Sequence, residues 1–294
     1  MSEADSNSSH SPLSIAQCAS LAAIFEATAP KPGNVHRGAD FVDLTYPDLV
    51  LSAIAIEPAM QNAVDRSLGQ TVLDAVTATR QLISTNSNLG IILLIAPLSA
   101  VPRQSPLREG VKEILRGLTA TDCQLVYRAI CAAKPGGVGK VAEGDIAGPA
   151  PDDLVAAMKL AADRDLVARQ YATNFADLFD MVLPALLECA GRWSLSDAIV
   201  RTFLQVMHRF PDSLIGRKCG AKIAQQAADH AGSVLKSGQP EEENYQEGLA
   251  DLDFWLRSDG HRRNPGTTAD MIAAALFAAL RDGQIRGPFD WRAW

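Results

Sequence analysis

Apolar residues recur at helical spacing along nearly the whole chain, and this periodicity constrains the fold more than any other feature. One helical face is marked by Leu68, Val72, Val76 and Ile83. Residues 89–101 (LGIILLIAPLSAV) are apolar on every side, as in a helix at the centre of a bundle. No segment alternates apolar and polar residues with the period of two that a half-buried strand shows. The sequence therefore predicts an all-α fold.

The composition agrees with a helical core built from small aliphatic side chains. Hydrophobic residues make up 47% of the 294 residues and aromatic residues only 6%, so Ala, Leu, Ile and Val must form the core. Alanine has the highest helix propensity and is depleted in strands. We expect a single multi-helix, bundle-like domain over residues 13–294, preceded by a disordered polar tail at residues 1–12 (MSEADSNSSHSP).

Caps, prolines and glycines mark the expected helix boundaries. Ser11-Pro12 has the form of a helix start, and Pro30 ends the first helix because the residue before a proline disfavours the α conformation. A long helical stretch is predicted over residues 152–189. Residues 134–151 (KPGGVGKVAEGDIAGPAP) are too rich in Gly and Pro for a helix, so we expect a long internal loop there. Such a loop inside a compact domain often serves as a lid or a binding loop.

Charge and cysteine content argue against several classes of protein. The formal net charge of −7 and pI near 5.3 disfavour nucleic acid as a partner, because a nucleic-acid surface needs a basic excess. Residues 89–101 are fewer than the roughly 20 apolar residues of a membrane-spanning helix, and residues 1–12 lack the features of a signal peptide. The five cysteines are scattered without metal-binding spacing, as expected for free thiols. We expect a cytoplasmic protein that binds small molecules.

The most unusual stretch is residues 28–38 (TAPKPGNVHRG). Two prolines and a glycine fix the backbone around Lys31, and Asn34, His36 and Arg37 follow in a segment that cannot be helical. A rigid turn can present a cation to an anionic ligand with little loss of conformational freedom. The alternative is a turn that only ends a helix. We favour the binding interpretation.

Further polar residues cluster at the start of later predicted helices. Capping and the helix dipole explain each of them alone, but a helix N-terminus is also an anion-binding site. They are Thr85, Asn86 and Asn88 before the run at 89–101, Asp212 and Arg217 in PDSLIGRKCG, and Asp270 in NPGTTAD. Asp165 belongs to a group of four carboxylates within residues 163–180, which forms either an exposed helix face or part of a Mg²⁺ site.

Together and in this order, the motifs resemble those of the triphosphoribosyl-dephospho-CoA synthase family. The matching elements are Glu26 with APKPGNVHRG, Asp43, Ser52, TNSNLG, PDSLIGRKCG and NPGTTADMIAAALF, over roughly residues 18–281. The resemblance implies an all-helical enzyme that displaces adenine from C1′ of ATP with a ribose hydroxyl of dephospho-CoA. The product would carry a triphosphoribosyl group, the precursor of a carrier-protein prosthetic group in citrate or malonate lyases.

The resemblance also implies roles for the matched residues. Departure of adenine leaves an oxocarbenium-like ribose that nearby carboxylates stabilise, and the triphosphate needs Mg²⁺ and cationic groups. The catalytic candidates are Glu26, Asp43 and Asp212. The candidate cations are Lys31, Arg37 and Arg217, and the candidate magnesium ligands are Asp270, Asp212 and Asp165. The other nucleotide-binding candidates are Asn34, His36, Thr85, Asn86 and Asn88. We expect Glu26, Lys31, Asn86, Asp212 and Asp270 to meet in one cleft.

Two departures from the family pattern leave the acceptor open. Asn88-Leu89 stands before Gly90 where the synthases usually have His-Lys, and His36 stands where they usually have Asp. The acceptor is then dephospho-CoA or a related molecule, such as a ribitol derivative in methanopterin-type cofactor biosynthesis. Two other functions remain as alternatives: an N-glycoside hydrolase acting on a nucleotide, and a nucleotide-binding protein without turnover. The number of metal ions and the oligomeric state also stay open.

Overall fold

The computed structural model describes residues 12–134 and 150–291, and within these ranges the chain is helical without a strand. One isolated backbone bridge joins His36 and Ala39. The predicted all-α fold is confirmed. Most of the predicted tail and the interior of the loop predicted at 134–151 lie outside the described residues. None of the helices that the structure describes combines the length and the apolar character that crossing a bilayer requires.

The helices are named here in chain order. They are α1 (Ile15–Thr28), α2 (Tyr46–Ala55), α3 (Glu57–Gln61), α4 (Leu68–Leu82), α5 (Leu89–Ser99), α6 (Leu107–Arg116), α7 (Ala120–Ala133), α8 (Leu154–Ala161), α9 (Leu166–Ala172), α10 (Leu183–Ala190), α11 (Leu195–Arg209), α12 (Ser213–Cys219), α13 (Ala221–Ser237), α14 (Glu243–Arg257) and α15 (Gly266–Arg281). A 3₁₀ turn spans Ala63–Asp65, and a π-helical turn spans Leu178–Val182.

Helices α5 and α15 form the centre of the molecule. In α5, residues 91–99 are all buried, and in α15 only Gly266 and Asp270 are not. Helix α15 packs against α1, α5, α10 and α11, as an apolar helix must be surrounded by others. Buried side chains from both described ranges form one core. Asp270 is therefore a carboxylate placed where the central helices meet.

The first helix begins later than the sequence predicted. Helix α1 starts at Ile15 with Ser14 as its N-cap, so the predicted start at Ser11-Pro12 is wrong. Ser14 and Gln17 form a capping box: the Gln17 N–H donates to Ser14 Oγ (3.1 Å), and the Ser14 N–H donates to Gln17 Oε1 (2.9 Å). The predicted end of this helix before Pro30 is confirmed.

The long helix predicted over residues 152–189 is also wrong. The chain there breaks into α8, α9, the π-helical turn and α10. The Asp165 side chain accepts the Val167 N–H (2.9 Å), which satisfies a new helix start inside the stretch. Asn174 and Phe175 then adopt positive φ angles of 54° and 61°. Phe175 is fully buried, so core packing holds this break in place.

The turn that follows α1 packs directly on α14 and on the start of α15. Gly33 has a φ of +77°, and a Cβ at this position would lie 2.8 Å from Leu256 Cβ and 3.0 Å from Pro265 Cδ. The Gly33 N–H donates to Asp253 Oδ1 at 2.7 Å. Only glycine fits this conformation and this spacing. The contact brings the first sequence motif beside the last one.

Candidate active site

Asp270 lies in the first turns of α15 with its carboxylate toward the start of α5. A Cβ built on Gly90 would lie 2.0 Å from Asp270 Oδ2. Among the residues that the structure describes, this carboxylate has no hydrogen-bond or ion-pair partner. Burial raises the pKa of Asp270 well above its ordinary value, and the charges of Glu26, Asp212 and Asp165 raise it further. A carboxyl group with a raised pKa is suited to general acid and base chemistry.

Glu26 and Lys31 form a buried ion pair at the end of α1. Lys31 Nζ lies 2.9 Å from Glu26 Oε1, and the two side chains are 0% and 8% exposed. The ammonium also donates to the backbone oxygens of Glu26 and Ala29, the latter at 3.3 Å. Lys31 therefore points inward, toward Glu26. The carboxylate five positions earlier in the chain attracts it there.

Asp212 joins α12 to α15 through four hydrogen bonds. Its Oδ1 accepts the N–H groups of Leu214 (2.8 Å) and Ile215 (3.0 Å). Its Oδ2 accepts the N–H and the Oγ1–H of Thr268, both at 2.8 Å. Burial raises the pKa of Asp212, and the hydrogen bonds from Ile215 and Thr268 oppose that effect. Because both oxygens are engaged, Asp212 positions α15 in this structure, in contrast to the catalytic and metal-binding roles that the sequence suggested.

Asp165 and Arg217 form a second ion pair beside the buried carboxylates. Asp165 Oδ2 accepts from Arg217 Nη1, while Asp165 Oδ1 caps α9. Arg217 remains 30% exposed, and its charge acts on Asp270 and on Asp212. A guanidinium has five N–H donors. Most of those of Arg217 therefore stay available for an anionic ligand, unlike those of Lys31.

The three predicted magnesium ligands do not form a metal cluster. Within residues 12–134 and 150–291, no three His, Cys, Asp or Glu side chains are arranged to hold a metal ion. Asp212 and Asp165 are committed to hydrogen bonds, and only Asp270 is free of them. The three carboxylates therefore do not form a ready-made metal site in this structure, and a role for them in binding Mg²⁺ stays a prediction.

The polar residues before α5 mainly cap that helix. Asn86 Oδ1 accepts the first N–H of α5 at 3.3 Å. Asn88 is 6% exposed, and its Nδ2 donates to Ser52 O and to Thr79 Oγ1, both at 3.2 Å. The space between this turn and α4 measures about 10 Å³, which is enough for roughly one water molecule. Asn88 is thus used for packing, while Thr85 stays partly exposed at the rim.

His36 is neutral in its surroundings. Burial lowers the pKa of His36 to about 4, and the nearby charges of Arg257 and Lys31 contribute. Its Nδ1 accepts the N–H of Gly38 at 3.2 Å, so the ring proton lies on Nε2. At neutral pH this side chain can donate one hydrogen bond to a ligand, but it does not offer a positive charge.

Asn34 connects the first and last motifs. Its Nδ2 donates to Asn264 Oδ1 at 2.5 Å, and its backbone oxygen accepts from Arg257. Arg37 follows on the exposed side of the same turn. The turn therefore presents one buried amide to the start of α15 and one arginine to solvent.

Asp43 does not join the buried carboxylates. It lies in the loop before α2, its side chain is 63% exposed, and its Oδ1 is 3.4 Å from Nε2 of His261. The His261 ring stacks on Phe41 with 4.6 Å between centroids. The structure therefore places Asp43 at the surface, whereas Glu26 and Asp212 are buried.

The neighbourhood contains two charged residues that the sequence reasoning missed, Asp253 and Arg257 of α14. Asp253 accepts from Gly33 N and from Arg257 Nε (2.8 Å), and Arg257 reaches the backbone of Asn34. These two residues are four positions apart in the sequence, and opposite charges at that spacing are neighbours on a helix. The spacing is the sequence signal that could have identified them.

A cavity of about 580 Å³ lies between α4 and α7, and none of the predicted site residues lines it. Its lining residues are Leu73, Thr77, Gln124, Tyr127, Arg128, Cys131, Ala132 and Ala150. Arg128 is the one charged group among them. The convergence of carboxylates and cations, rather than this cavity, identifies the candidate active site.

Fold and site together define a class: an all-helical protein in which ends of distant helices bring ionisable side chains around one free carboxylate. The family model for ATP:dephospho-CoA triphosphoribosyl transferases (CitG) matches residues 12–288. The chain belongs to this family. It is accordingly a transferase that uses ATP, in a family that transfers the triphosphoribosyl group to dephospho-CoA.

A solved structure supports the same assignment. It comes from Archaeoglobus fulgidus and is provisionally named a triphosphoribosyl-dephospho-CoA synthase. The two structures superpose with a TM-score of 0.63 at 26% sequence identity, over 80% of this chain and 99% of the other. A search of curated proteins gave no match.

Proposed function

We propose that Asp270 is the acid–base group with which this transferase displaces adenine from C1′ of ATP by an acceptor hydroxyl. The proposal depends on the state of the Asp270 carboxyl group, which is free and has a pKa raised by burial. Its neighbours are the Glu26–Lys31 and Asp165–Arg217 ion pairs. The other buried carboxylates of the site already have partners. Asp270 is the one that remains able to exchange a proton with a substrate.

The reaction requires one proton to be supplied and one to be removed, and Asp270 can take part in both transfers. The C1′–N9 bond breaks and its electron pair leaves with adenine, while an oxygen lone pair of the acceptor forms the new bond to C1′. Adenine leaves as a neutral base when it gains a proton, and the acceptor hydroxyl must lose one. Protonated Asp270 can supply the first proton, and its carboxylate can then accept the second. The protein ends in the state in which it began.

Negative charge beside C1′ supports the same step. The transition state resembles an oxocarbenium ion, which a preorganised carboxylate stabilises. Glu26 is held in place by its ion pair with Lys31, and its charge acts on Asp270. We assign to Glu26 the electrostatic role and to Asp270 the proton transfer.

For the triphosphate, we propose Arg217 and the N-terminal turn of α5 as the binding groups. Arg217 retains free donors, and the absence of a side chain at Gly90 brings the N-terminal turn of α5 directly beside Asp270. Magnesium at phosphate sites is usually held by substrate phosphates, waters and few carboxylates. We therefore propose that Mg²⁺ enters with ATP, where it neutralises phosphate charge.

The proposed acceptor is dephospho-CoA, as in the family, or a related hydroxyl compound. Of the two departures from the family pattern, Asn88 is buried and bonded to Ser52 and Thr79, so it does not line an acceptor surface. His36 remains partly exposed as a neutral donor. The departure from the family pattern at Asn88 therefore does not argue for an acceptor other than dephospho-CoA.

Incubation with MgATP and a panel of hydroxyl acceptors tests the proposal. The panel includes dephospho-CoA and a ribitol derivative, and mass spectrometry follows adenine and the acceptor. Adenine together with a triphosphoribosylated acceptor supports the transferase. Adenine with free ribose triphosphate would indicate the hydrolase, and the absence of both with retained ATP binding would indicate a binding protein.

We also propose that the protein works in a reducing compartment such as the cytoplasm. Cys123, Cys189 and Cys219 are free thiols, and the first two of them are buried. Buried unpaired thiols are typical of proteins in reducing surroundings.

A further inference from the structure

We propose that Lys31 is a positioning residue that holds the Glu26 carboxylate in place beside Asp270, and that it does not bind the triphosphate. This inference rests on the proposed function, because it concerns how the two carboxyl groups of that site divide their roles. It also reverses the interpretation that the sequence pattern favoured for Lys31.

The hydrogen bonds of Lys31 leave no donor for a phosphate. An ammonium has three N–H groups. In the structure they meet Glu26 Oε1, Glu26 O and Ala29 O. The side chain is 0% exposed, so a phosphate oxygen would have to displace these acceptors to reach Nζ. Breaking a buried ion pair leaves an uncompensated charge and is strongly unfavourable.

The rigid turn explains why the side chain points inward. Lys31 lies between Pro30 and Pro32, its N–H donates to Ala29 O at 2.7 Å, and Gly33 holds a positive φ against α14. These constraints direct the Lys31 side chain back along the last turn of α1, where Glu26 lies. The prolines therefore fix a cation for use inside the protein.

The ion pair also distinguishes the two carboxyl groups of the site. Glu26 and Asp270 repel each other when both are charged. When two carboxyl groups are close, the one without a cationic partner holds the proton. Lys31 pairs with Glu26, whereas burial and the neighbouring carboxylates raise the pKa of Asp270. Such a division of charge between two carboxyl groups assigns the acid and the electrostatic stabiliser.

A double-mutant cycle tests this role with Lys31→Met, Glu26→Gln and the double variant. We expect Lys31→Met to lower kcat for adenine release by about 100-fold, with KM for MgATP changed by less than about twofold, as for loss of a transition-state interaction. The double variant should be no slower than Glu26→Gln alone, because Lys31 acts through Glu26. The pH profile of kcat should change in Lys31→Met, and in the double variant it should match the profile of Glu26→Gln.

Binding of MgATP, measured by equilibrium dialysis, separates the alternatives. Two comparisons of the Kd for MgATP are made: Lys31→Met with the wild type, and the double variant with Glu26→Gln. A Kd raised tenfold or more in both would overturn the inference and indicate that Lys31 contacts the triphosphate. Thermal unfolding provides a readout that does not need turnover. Each single variant should lower the midpoint and the neutral double variant should recover most of the loss, whereas additive losses would contradict the pairing. If the wild type releases no adenine, the proposed function fails, and the binding and unfolding cycles still decide the role of Lys31.

Discussion

The carboxylate of Asp270 lies against the α-carbon of Gly90 at the start of α5. A Cβ at position 90 would stand 2.0 Å from Oδ2 and 2.9 Å from Oδ1, which is too close for any side chain. Two of the sequence motifs thus meet at one contact, and the absence of a side chain in one makes room for the carboxylate of the other. Because the obstructing atoms are the end of a side chain, they can move without a shift of the backbone.

We predict that Gly90→Ala displaces the Asp270 carboxylate and lowers the rate of adenine release by roughly 100-fold, as misplacement by about 1 Å of a reacting group does. The fold should persist, because Ala is favoured over Gly in a helix by up to about 1 kcal/mol. Gly248→Ala in α14 is the matched control, since its Cβ would meet Val234 Cγ2 at an ordinary 3.5 Å. Full activity of Gly90→Ala would refute the proposed place of Asp270 in the reaction.

The raised pKa of Asp270 predicts a pH-dependent cost in stability. Above the ordinary carboxyl pKa of 3.8, the folded protein keeps a proton on Asp270 that the unfolded chain releases. The contribution of Asp270 to the free energy of unfolding therefore falls as pH rises from the ordinary carboxyl pKa toward the raised pKa of this group. We expect Asp270→Asn to be more stable than the wild type at neutral pH, with a difference that disappears near pH 4. Urea unfolding of both proteins at several pH values measures it, and a constant difference would contradict the assignment.

Asp212 is expected to matter for stability. Asp212→Asn retains acceptors for α12 but turns an amide N–H₂ toward the Thr268 donors, so we predict a loss of about 2–4 kcal/mol in the free energy of unfolding. Thr268→Ser keeps both donors and should lose less than about 1 kcal/mol. Urea unfolding compares the two variants. Wild-type stability of Asp212→Asn would show that the four hydrogen bonds contribute little.

Arg217 is expected to bind the triphosphate. We predict that Arg217→Gln raises the Kd for MgATP about tenfold, equivalent to about 1.4 kcal/mol, with a weaker dependence on salt. Arg262→Gln is a suitable control because Arg262 is a nearby arginine with a 60% exposed side chain. Isothermal titration calorimetry measures both. Equal affinities of the two variants would remove Arg217 from the binding site.

Helical periodicity was enough to predict the fold class, because core burial dominates the energetics of long apolar helices. The predicted end of the first helix before Pro30 agrees with the end of α1 at Thr28. The predicted helix boundaries were wrong where short polar side chains form hydrogen bonds with backbone groups and so start or end a helix. Ser14 with Gln17 carried a readable capping signal, whereas the break near Phe175 depends on tertiary packing that no local pattern records.

The sequence indicated part of the grouping of side chains in the candidate site. The order of the motifs pointed to Glu26, Arg217 and Asp270, which the structure brings together. The direction of the Lys31 side chain could not be predicted, because it depends on which acceptors the turn places within reach. The saturation of Asp212 depends on Thr268, 56 positions further along the chain. Spacing along a sequence indicates which residue types gather, but not which of them remain free.

In the proposed reaction, Asp270 transfers the proton when adenine leaves ATP. The most direct measurement compares adenine release from MgATP by wild type and Asp270→Asn, with saturating dephospho-CoA and the triphosphoribosylated product followed by mass. We predict that the wild type forms adenine and product in equal amounts, and that Asp270→Asn binds MgATP but is slower by about 10²–10⁴-fold. Release of adenine by Asp270→Asn at the wild-type rate would contradict the account.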